Sequence, residues 1–217
     1  MLSCHCHLTP IVHDWDTVSA GYFYATAIKN DGTLWSWGNN TFGQLGIEAT
    51  TDKSLPSKIG TATTWKIVSA GNAHTLAIKS DGTLWTWGWN VKWNGAGRLG
   101  DRRTINTLSP IQVGTAKTWK TVSAGNEHTL AIKSDGTLWT WGYLGHGRLG
   151  VVDETRRNKT SLIQVGSDSD WITVSGGYAQ TLAIKSDGTL WAWGYNNYGQ
   201  LGNGTTSEGI TLKTNIK

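Results

Sequence analysis

The sequence predicts an all-β fold, namely a β-propeller of about four blades, each a four-stranded antiparallel sheet. Three observations predict it. One unit of about 52 residues occurs four times, each copy contains a short segment with strand-like alternation, and 12 of the 14 tryptophans occupy three fixed positions of the unit. A helical fold is disfavoured, because no segment has apolar residues at i, i+3, i+4 and i+7.

The repeat defines the expected organisation of the chain. Each copy reads V-S-A/G-G, then four variable residues, then a segment close to L-A-I-K-S-D-G-T-L-W-x-W-G, and a looser G-Q/R-L-G follows. The segment Thr75–Trp85 recurs without change at 129–139 and 181–191. We therefore expect an N-terminal segment, 1–14, left from a preceding blade, and four tandem repeats at about 15–64, 65–118, 119–170 and 171–217.

Each unit begins with a predicted hairpin. Leu76 and Ile78 fall on one face of a strand, whereas Thr75, Ala77 and Lys79 fall on the other. The following Ser-Asp-Gly supplies a tight turn, in which glycine accepts the positive φ that other residues avoid. The glycines with this structural role are Gly32, Gly82, Gly136 and Gly188.

The next strand carries two tryptophans on one face, such as Trp85 and Trp87. Each indole buries roughly 150 to 250 Å², more than one hairpin can cover, so successive units are expected to stack around an axis. Trp89 and Trp93 lie outside the repeat pattern, and we expect them to tolerate alanine. The second tryptophan of each W-x-W-G motif is expected to lie in the core. These residues are Trp37, Trp87, Trp141 and Trp193.

The motifs D-G-x-L-x-x-W-G, G-Q-L-G and A-G-x-x-H-T-L-A closely resemble the regulator of chromosome condensation repeat, over about Trp15 to Gly202. The resemblance implies a propeller that normally closes with seven blades, which needs roughly 364 residues. Three arrangements stay open: a fragment or short paralogue of a larger propeller, which we favour, an open arc, or a ring completed by several chains. Uncovered faces of the end blades predict that the isolated chain either self-associates or is marginally stable. The segment 204–217 is expected to begin another inter-repeat loop.

Composition excludes several classes of protein. No apolar run approaches the ~20 residues of a membrane helix, and the first ten residues do not resemble a signal peptide, so a cytoplasmic location is the default expectation and no membrane partner is predicted. A net charge of +4 is too small to predict nucleic-acid binding by itself. The only cysteines, Cys4 and Cys6, are too close together to close a useful disulfide loop.

Cys4-His5-Cys6-His7 contains good zinc ligands. Alternation along a strand places the thiols and the imidazoles on opposite faces, which opposes a single tetrahedral site, and we predict no metal.

Two histidines, His74 and His128, share one repeat position with Tyr24 and Gln180. A repeated, interchangeable residue is not expected in a catalytic triad, so the histidines are predicted to hydrogen-bond a neighbouring strand or blade. The glycine-rich segments lack the lysine and serine or threonine of a phosphate-binding loop. We therefore predict no catalytic residue, no cofactor and no enzymatic activity, and we expect the lysine preceding each turn to form a solvated rim.

The loops that follow G-R-L-G in the second and third units differ most from the other two units. The first and fourth units have Gln44 and Gln200 in this motif. Equivalent loops emerge on the same face of a repeat protein, so six arginines are expected to gather there on two adjacent blades. Guanidinium groups suit an acidic protein surface or a polyanion, although a solvated rim of arginines paired within their loops is an open alternative. The arginines are Arg98, Arg102, Arg103, Arg148, Arg156 and Arg157.

The sequence therefore predicts a non-enzymatic module that binds a protein partner through the loops of one face. The resemblance implies an alternative, a guanine-nucleotide exchange factor for a Ran-like small GTPase, but spacings of 50, 54 and 52 residues between the repeated aspartates leave no room for the inserted wedge of that class. Binding of a polyanion, nucleic acid or chromatin is a further alternative. The resemblance also implies an ultraviolet-B photoreceptor as a possible function. Its motif G-W-R-H-T is absent here, because the tryptophan position holds Tyr22, Asn72, Asn126 and Tyr178.

Overall fold

The computed structural model describes residues 14–91, 97–152 and 157–213, except for the side chains of 210–213. Sixteen strands in these ranges form four separate sheets, each with four antiparallel strands in chain order. The only helical element in the described ranges is a single 3₁₀ turn at Gly145–Gly147, and none is long and apolar enough to cross a membrane. The predicted all-β architecture of four-stranded blades is confirmed.

The four sheets are blades 1 to 4. Blade 1 contains β1 (Trp15–Ala20), β2 (Tyr24–Lys29), β3 (Leu34–Gly38) and β4 (Lys53–Lys58). Blade 2 contains β5 (Trp65–Ala70), β6 (His74–Lys79), β7 (Leu84–Gly88) and β8 (Thr107–Gln112). Blade 3 contains β9 (Trp119–Ala124), β10 (His128–Lys133), β11 (Leu138–Gly142) and β12 (Lys159–Gln164). Blade 4 contains β13 (Trp171–Gly176), β14 (Gln180–Lys185), β15 (Leu190–Gly194) and β16 (Gly209–Lys213).

The last strand corrects one expectation from the sequence. The segment 204–217 was expected to begin a loop, but Gly209–Lys213 pairs with β15 as the outer strand of blade 4. The outer strands repeat less strictly than the others: T-L-S-P-I-Q of β8 and K-T-S-L-I-Q of β12 share three residues, whereas K-S-L-P-S-K of β4 shares only one with each. The interpretation of 1–14 as the remnant of a preceding blade falls on residues of which the structure describes only Asp14.

The turn between the second and third strands forms as the sequence predicts. In blade 2, Gly82 has φ +78°, and Oδ1 of Asp81 accepts hydrogen bonds from the backbone N (3.1 Å) and Oγ1 (2.7 Å) of Thr83. Oγ1 of Thr83 in turn accepts a hydrogen bond from Nε1 of Trp85 at 2.9 Å. The same turn recurs in each blade, with φ between +74° and +82° at Gly32, Gly82, Gly136 and Gly188.

Neighbouring blades pack an indole face against an aliphatic face. Leu76 and Leu84 of blade 2 lie in one buried cluster with Trp119 and Trp141 of blade 3, and the same arrangement joins blades 1 and 2 and blades 3 and 4. Indoles therefore do not stack on indoles across the interface. Instead, blades 2, 3 and 4 each use their tryptophans to cover the leucines and isoleucines of the preceding blade.

Serine side chains link the first strands of successive blades, which contact one another where the blades converge. Oγ of each serine accepts a hydrogen bond from a backbone N–H of the next blade. The donors and acceptors are Ala70 to Ser19 (2.9 Å), Ala124 to Ser69 (3.0 Å) and Gly176 to Ser123 (2.9 Å). The V-S-A/G-G motif therefore encodes a contact between blades as well as a strand.

The two end blades each present a face that no described residue covers. Val18 of blade 1 is 73% exposed, whereas its equivalent Val68 is 5% exposed. Leu182 and Ile184 of blade 4 are partly exposed, whereas Leu76 and Ile78 are buried.

We expect the 217-residue chain to self-associate through these faces, because the indole face of blade 1 matches the chemistry of the aliphatic face of blade 4. Sedimentation should show oligomers at micromolar concentration, and Ile184→Ser should shift the population toward monomer. Leu55→Ser, which changes an exposed side chain on the outer strand β4, is the control. A wild-type chain that stays monomeric throughout the concentration series contradicts the prediction.

Candidate functional site

The long connections between third and fourth strands and the turns between first and second strands lie at the same end of every blade. The backbone hydrogen bond from N of Asn39 to O of Phe23 joins the two segments in blade 1, and equivalent bonds occur in blades 2, 3 and 4. We call this end the loop face. It contains the positions at which the four units differ most, so it is the candidate binding surface.

The prediction that Arg98 and Arg148 belong to a cluster of exposed arginines is wrong. Arg98 is 0% exposed and Arg148 is 2% exposed. Both approach one carboxylate: Nη2 of Arg98 lies 3.4 Å from Oε1 of Glu127, and Nη1 of Arg148 lies 3.7 Å from Oε2. The guanidinium of Arg98 also covers the ring of Trp89, with its Cζ 4.0 Å from the ring centroid. These two arginines therefore join blades in the interior and do not contribute to a surface patch.

The burial of these arginines follows from their place in the repeat. Gln44, which occupies the same position in blade 1, is also buried. The backbone oxygen of Arg98 accepts hydrogen bonds from Oγ1 of Thr129 (2.9 Å) and Nε1 of Trp141 (2.7 Å), both in the next blade. Burial lowers the pKa of Arg98 to about 10, and the charge of Glu127 opposes this effect, so the guanidinium is still ionised at neutral pH.

Sequence reasoning missed Glu127. Its position in the repeat holds Phe23, Ala73 and Ala179 in the other blades, so it is the one ionisable residue among four. Glu127 is charged at a position that is apolar in the other three units, and Arg98 and Arg148 share one other repeated position. Together these two departures from the repeat could have identified the buried group of charges.

Arg102, Arg103 and Arg157 are exposed on the loop face. The backbone N of Arg102, a residue with φ +67°, donates to O of Thr160 in blade 3 at 2.8 Å. This bond places Arg102 against the strand that begins two residues after Arg157. Arg103 is mostly exposed and its Nε lies 3.3 Å from Oδ2 of Asp101. Arg156 lies outside the described residues.

The equivalent junction between blades 1 and 2 has the opposite charge. Glu48 has φ +60°, and its backbone N donates to O of Leu108 in blade 2 at 2.9 Å. Glu48 and Arg102 therefore occupy the same position of the repeat, each lying on the outer strand of the next blade. The backbone is the same and only the side-chain charge differs, so the loop face has an acidic junction followed by a basic one.

The predicted structural role of the histidines is confirmed. Nε2 of His74 lies 3.1 Å from Oγ1 of Thr129 in the next blade, and Nε2 of His128 lies 3.0 Å from Oγ1 of Thr181. Both threonine hydroxyls donate to backbone oxygens, so each histidine donates from Nε2. Burial lowers the pKa of His74 to about 3, with a further contribution from the charge of Arg98, and burial also lowers the pKa of His128 well below its usual value.

Stability should therefore fall in mild acid. Below pH 6.5 the unfolded chain takes up protons that the buried histidines exclude, so each histidine lowers the free energy of unfolding by about 1.4 kcal/mol per pH unit as pH decreases. Between pH 6.5 and 5 this amounts to about 2 kcal/mol per histidine. Urea denaturation from pH 7 to 5 measures the slope, and His74→Gln, which inserts the residue found at position 180, should remove half of it. An equal slope in the variant contradicts the assignment.

At the end opposite the loop face, the lysine that precedes each turn lies against the rings of two tryptophans. Nζ of Lys79 lies 4.8 Å from the ring centroid of Trp65 and 3.9 Å from that of Trp85. Such cation–π contacts contribute roughly 0.5 to 2 kcal/mol each. The expectation of a freely solvated lysine rim is therefore wrong, since the same arrangement recurs at Lys29, Lys133 and Lys185.

The other residues that the sequence singled out contribute little to a site. Trp89 is half-buried between Arg98 and the ring of Phe42, whose centroid is 4.8 Å away. Trp93 and Cys4-His5-Cys6-His7 lie outside the described residues. Within the described ranges, no group of three or more histidine, cysteine or acidic residues is arranged to hold a metal ion.

The match to a known family agrees with this geometry. Residues 31–78, 81–132 and 135–184 match the family described as "Regulator of chromosome condensation (RCC1) repeat". A second family with the same description matches 15–44, 65–92, 119–148 and 171–200. The chain belongs to the regulator of chromosome condensation repeat family. Each of the four segments that match the second family includes the first three strands of one blade.

Three similar proteins indicate how much of an RCC1-repeat protein this chain contains. The ultraviolet-B receptor UVR8 of Arabidopsis thaliana is 35% identical over 189 residues, which are 86% of this chain and 42% of the receptor. Human WBSCR16 has a TM-score of 0.82 at 19% identity, covering 94% of this chain and 54% of that one. Yeast RCC1 (Prp20), in its complex with Kap60, has a TM-score of 0.79 at 25% identity, covering 92% and 48%. The chain therefore spans about half the length of these proteins.

Proposed function

We propose that the chain is a non-enzymatic protein-interaction module whose loop face binds an acidic surface of a partner protein. The observation that carries the proposal is the exposure of Arg102, Arg103 and Arg157 around one junction between blades. Guanidinium groups make paired hydrogen bonds to carboxylates and lose less hydration than ammonium groups do. The backbone hydrogen bond from Arg102 to Thr160 restrains the junction, which reduces the entropy lost on binding.

The comparison with yeast RCC1 supports a protein as the partner, since that protein is seen bound to Kap60. Exchange of guanine nucleotide on a Ran-like GTPase is the alternative that the family resemblance implies. The two proposals separate in one assay: a nucleotide release rate that rises with stoichiometric addition of this chain supports exchange, and an unchanged rate supports binding alone.

Replacing Arg102, Arg103, Arg156 and Arg157 by serine should reduce partner capture at least about fivefold at low salt, because each charged contact contributes some tenths of a kcal/mol. Raised salt should weaken capture by the wild type more than by the variant.

A matched control makes the same change of four charges away from the loop face. Lys58, Lys66, Lys117 and Lys120 are all exposed, and their replacement by serine should leave capture unchanged. If the arginine variant and the lysine variant behave alike, net charge alone explains binding and the loop face is not the binding surface.

A further inference from the structure

A cavity of about 470 Å³ opens on the loop face between blades 3 and 4. Tyr178 and Tyr198 at its rim are 73% and 86% exposed, so solvent reaches the cavity. The side chains that line it are mostly aromatic or neutral and polar, and they include His146, Tyr178, Gln180, Tyr195, Tyr198 and Gln200.

The repeat shows what the equivalent space contains in blades 2 and 3. There, an arginine covers the aromatic residue that follows the W-x-W-G motif: Cζ of Arg98 lies 4.0 Å from the centroid of Trp89, and Cζ of Arg148 lies 4.7 Å from that of Tyr143. Both guanidinium groups are held on the ring by a cation–π contact. The cation and the ring belong to the same blade in both cases.

Blade 4 has the ring without the cation. Tyr195 occupies the ring position, but Gln200 occupies the arginine position, and its Oε1 accepts a hydrogen bond from the backbone N of Tyr198 at 3.0 Å. Glutamine is shorter than arginine and has no charge. Blade 1 also has a glutamine, Gln44, but there it donates from Nε2 to Oδ1 of Asn39 at 2.7 Å, so no ring is left uncovered.

Several groups around Tyr195 attract a positive charge, although the buried guanidinium of Arg148, which donates to O of Tyr178 at 3.2 Å, already lies beside the cavity. Its ring centroid lies 5.0 Å from that of His146 and 6.1 Å from that of Tyr198, both in edge-on arrangements. Glu208 adds a carboxylate, whose Oε1 accepts a hydrogen bond from Nδ1 of His146 at 2.8 Å. Rings with an adjacent carboxylate attract a cation of about the size of a guanidinium or ammonium group.

We propose that this cavity binds the side chain of an arginine from a partner protein, with its guanidinium over Tyr195 as those of Arg98 and Arg148 lie over their own rings. The site is separate from the exposed arginines of blades 2 and 3 and has the opposite charge preference. It therefore stands whether or not those arginines bind an acidic partner.

Titration of the ¹⁵N-labelled 217-residue chain with N-acetyl-arginine amide tests the proposal. We expect backbone NMR shifts that saturate in the millimolar range and cluster at 178–180, 195–200 and 146. The citrulline analogue has the same shape without the charge, and it should bind at least about tenfold more weakly.

Two variants locate the site. Gln200→Arg supplies the cation internally, as in blades 2 and 3 where arginine is accommodated, and should abolish saturable binding. Tyr195→Leu should weaken binding about 3- to 30-fold, which is the range of one cation–π contact. Tyr22→Leu is the control, since Tyr22 is an exposed tyrosine of blade 1. The proposal is overturned if arginine amide gives no saturable shifts, if citrulline binds equally well, or if Gln200→Arg binds as the wild type does.

Discussion

Replacing Trp87 by alanine should lower the free energy of unfolding by about 3 to 5 kcal/mol, the range for large aromatic side chains removed from a core. The indole is fully buried between blades 1 and 2, where it contacts Ile28 and Leu34. Its Nε1 also donates to the backbone oxygen of Gln44 at 3.0 Å, a bond between blades that the variant loses. Trp141 and Trp193 make the equivalent bonds, so their alanine variants should lose similar amounts.

Trp37 provides a matched control, because it has the same position in blade 1. No described blade packs on that face of blade 1, and the side chain of Trp37 is half-buried. Trp37→Ala should cost less than half as much as Trp87→Ala in chemical denaturation of the monomeric form. Equal losses at the two positions would show that packing between blades does not determine the cost.

Replacing Glu127 by glutamine should cost about 3 kcal/mol, the second-largest effect that we expect. Its carboxylate lies near both Arg98 and Arg148, and both guanidinium groups are buried. Glutamine has nearly the same volume, so the loss comes from two buried positive charges that no longer have this carboxylate beside them. Urea denaturation at pH 7 measures the effect.

Asp168→Asn is the control for Glu127→Gln. Asp168 also pairs with a basic residue, Lys185, at 2.7 Å, but the carboxylate is 42% exposed. Exposed pairs contribute at most about 1 kcal/mol, so this variant should be nearly as stable as the wild type. A Glu127 variant that is equally stable contradicts the view that the buried arginines depend on that carboxylate.

The hairpins and turns could be predicted from the sequence because their causes are local. Alternation from Thr75 to Lys79 assigns each side chain to a face, and the glycine at position 82 fixes the turn. The outer strands could not be predicted from the repeat alone, because they are held by pairing with the third strand, which tolerates the sequence differences among β4, β8 and β12. The strand Lys53–Lys58 even contains Pro56.

The candidate site could be predicted only in part. Arg102 and Arg103 are exposed as expected, because their loop extends over the outer strand of blade 3. Arg98 was wrongly assigned to the surface because its charge was given more weight than its position in the repeat, which is buried in blades 1, 2 and 3. The cavity beside Tyr195 could not be predicted from one unit alone. It depends on the uncharged Gln200, which occupies the position of an arginine in blades 2 and 3.

The hydrogen bonds from backbone amides to Ser19, Ser69 and Ser123 have a consequence for how the molecule opens. Each bond joins only adjacent blades, so the four blades behave as a linear array in which stability is a sum of blade terms and nearest-neighbour terms. Such an array frays from its ends. Amide hydrogens of β6 and β10, flanked on both sides, should then exchange with deuterium more slowly than those of β2 and β14, although the four strands have nearly the same sequence.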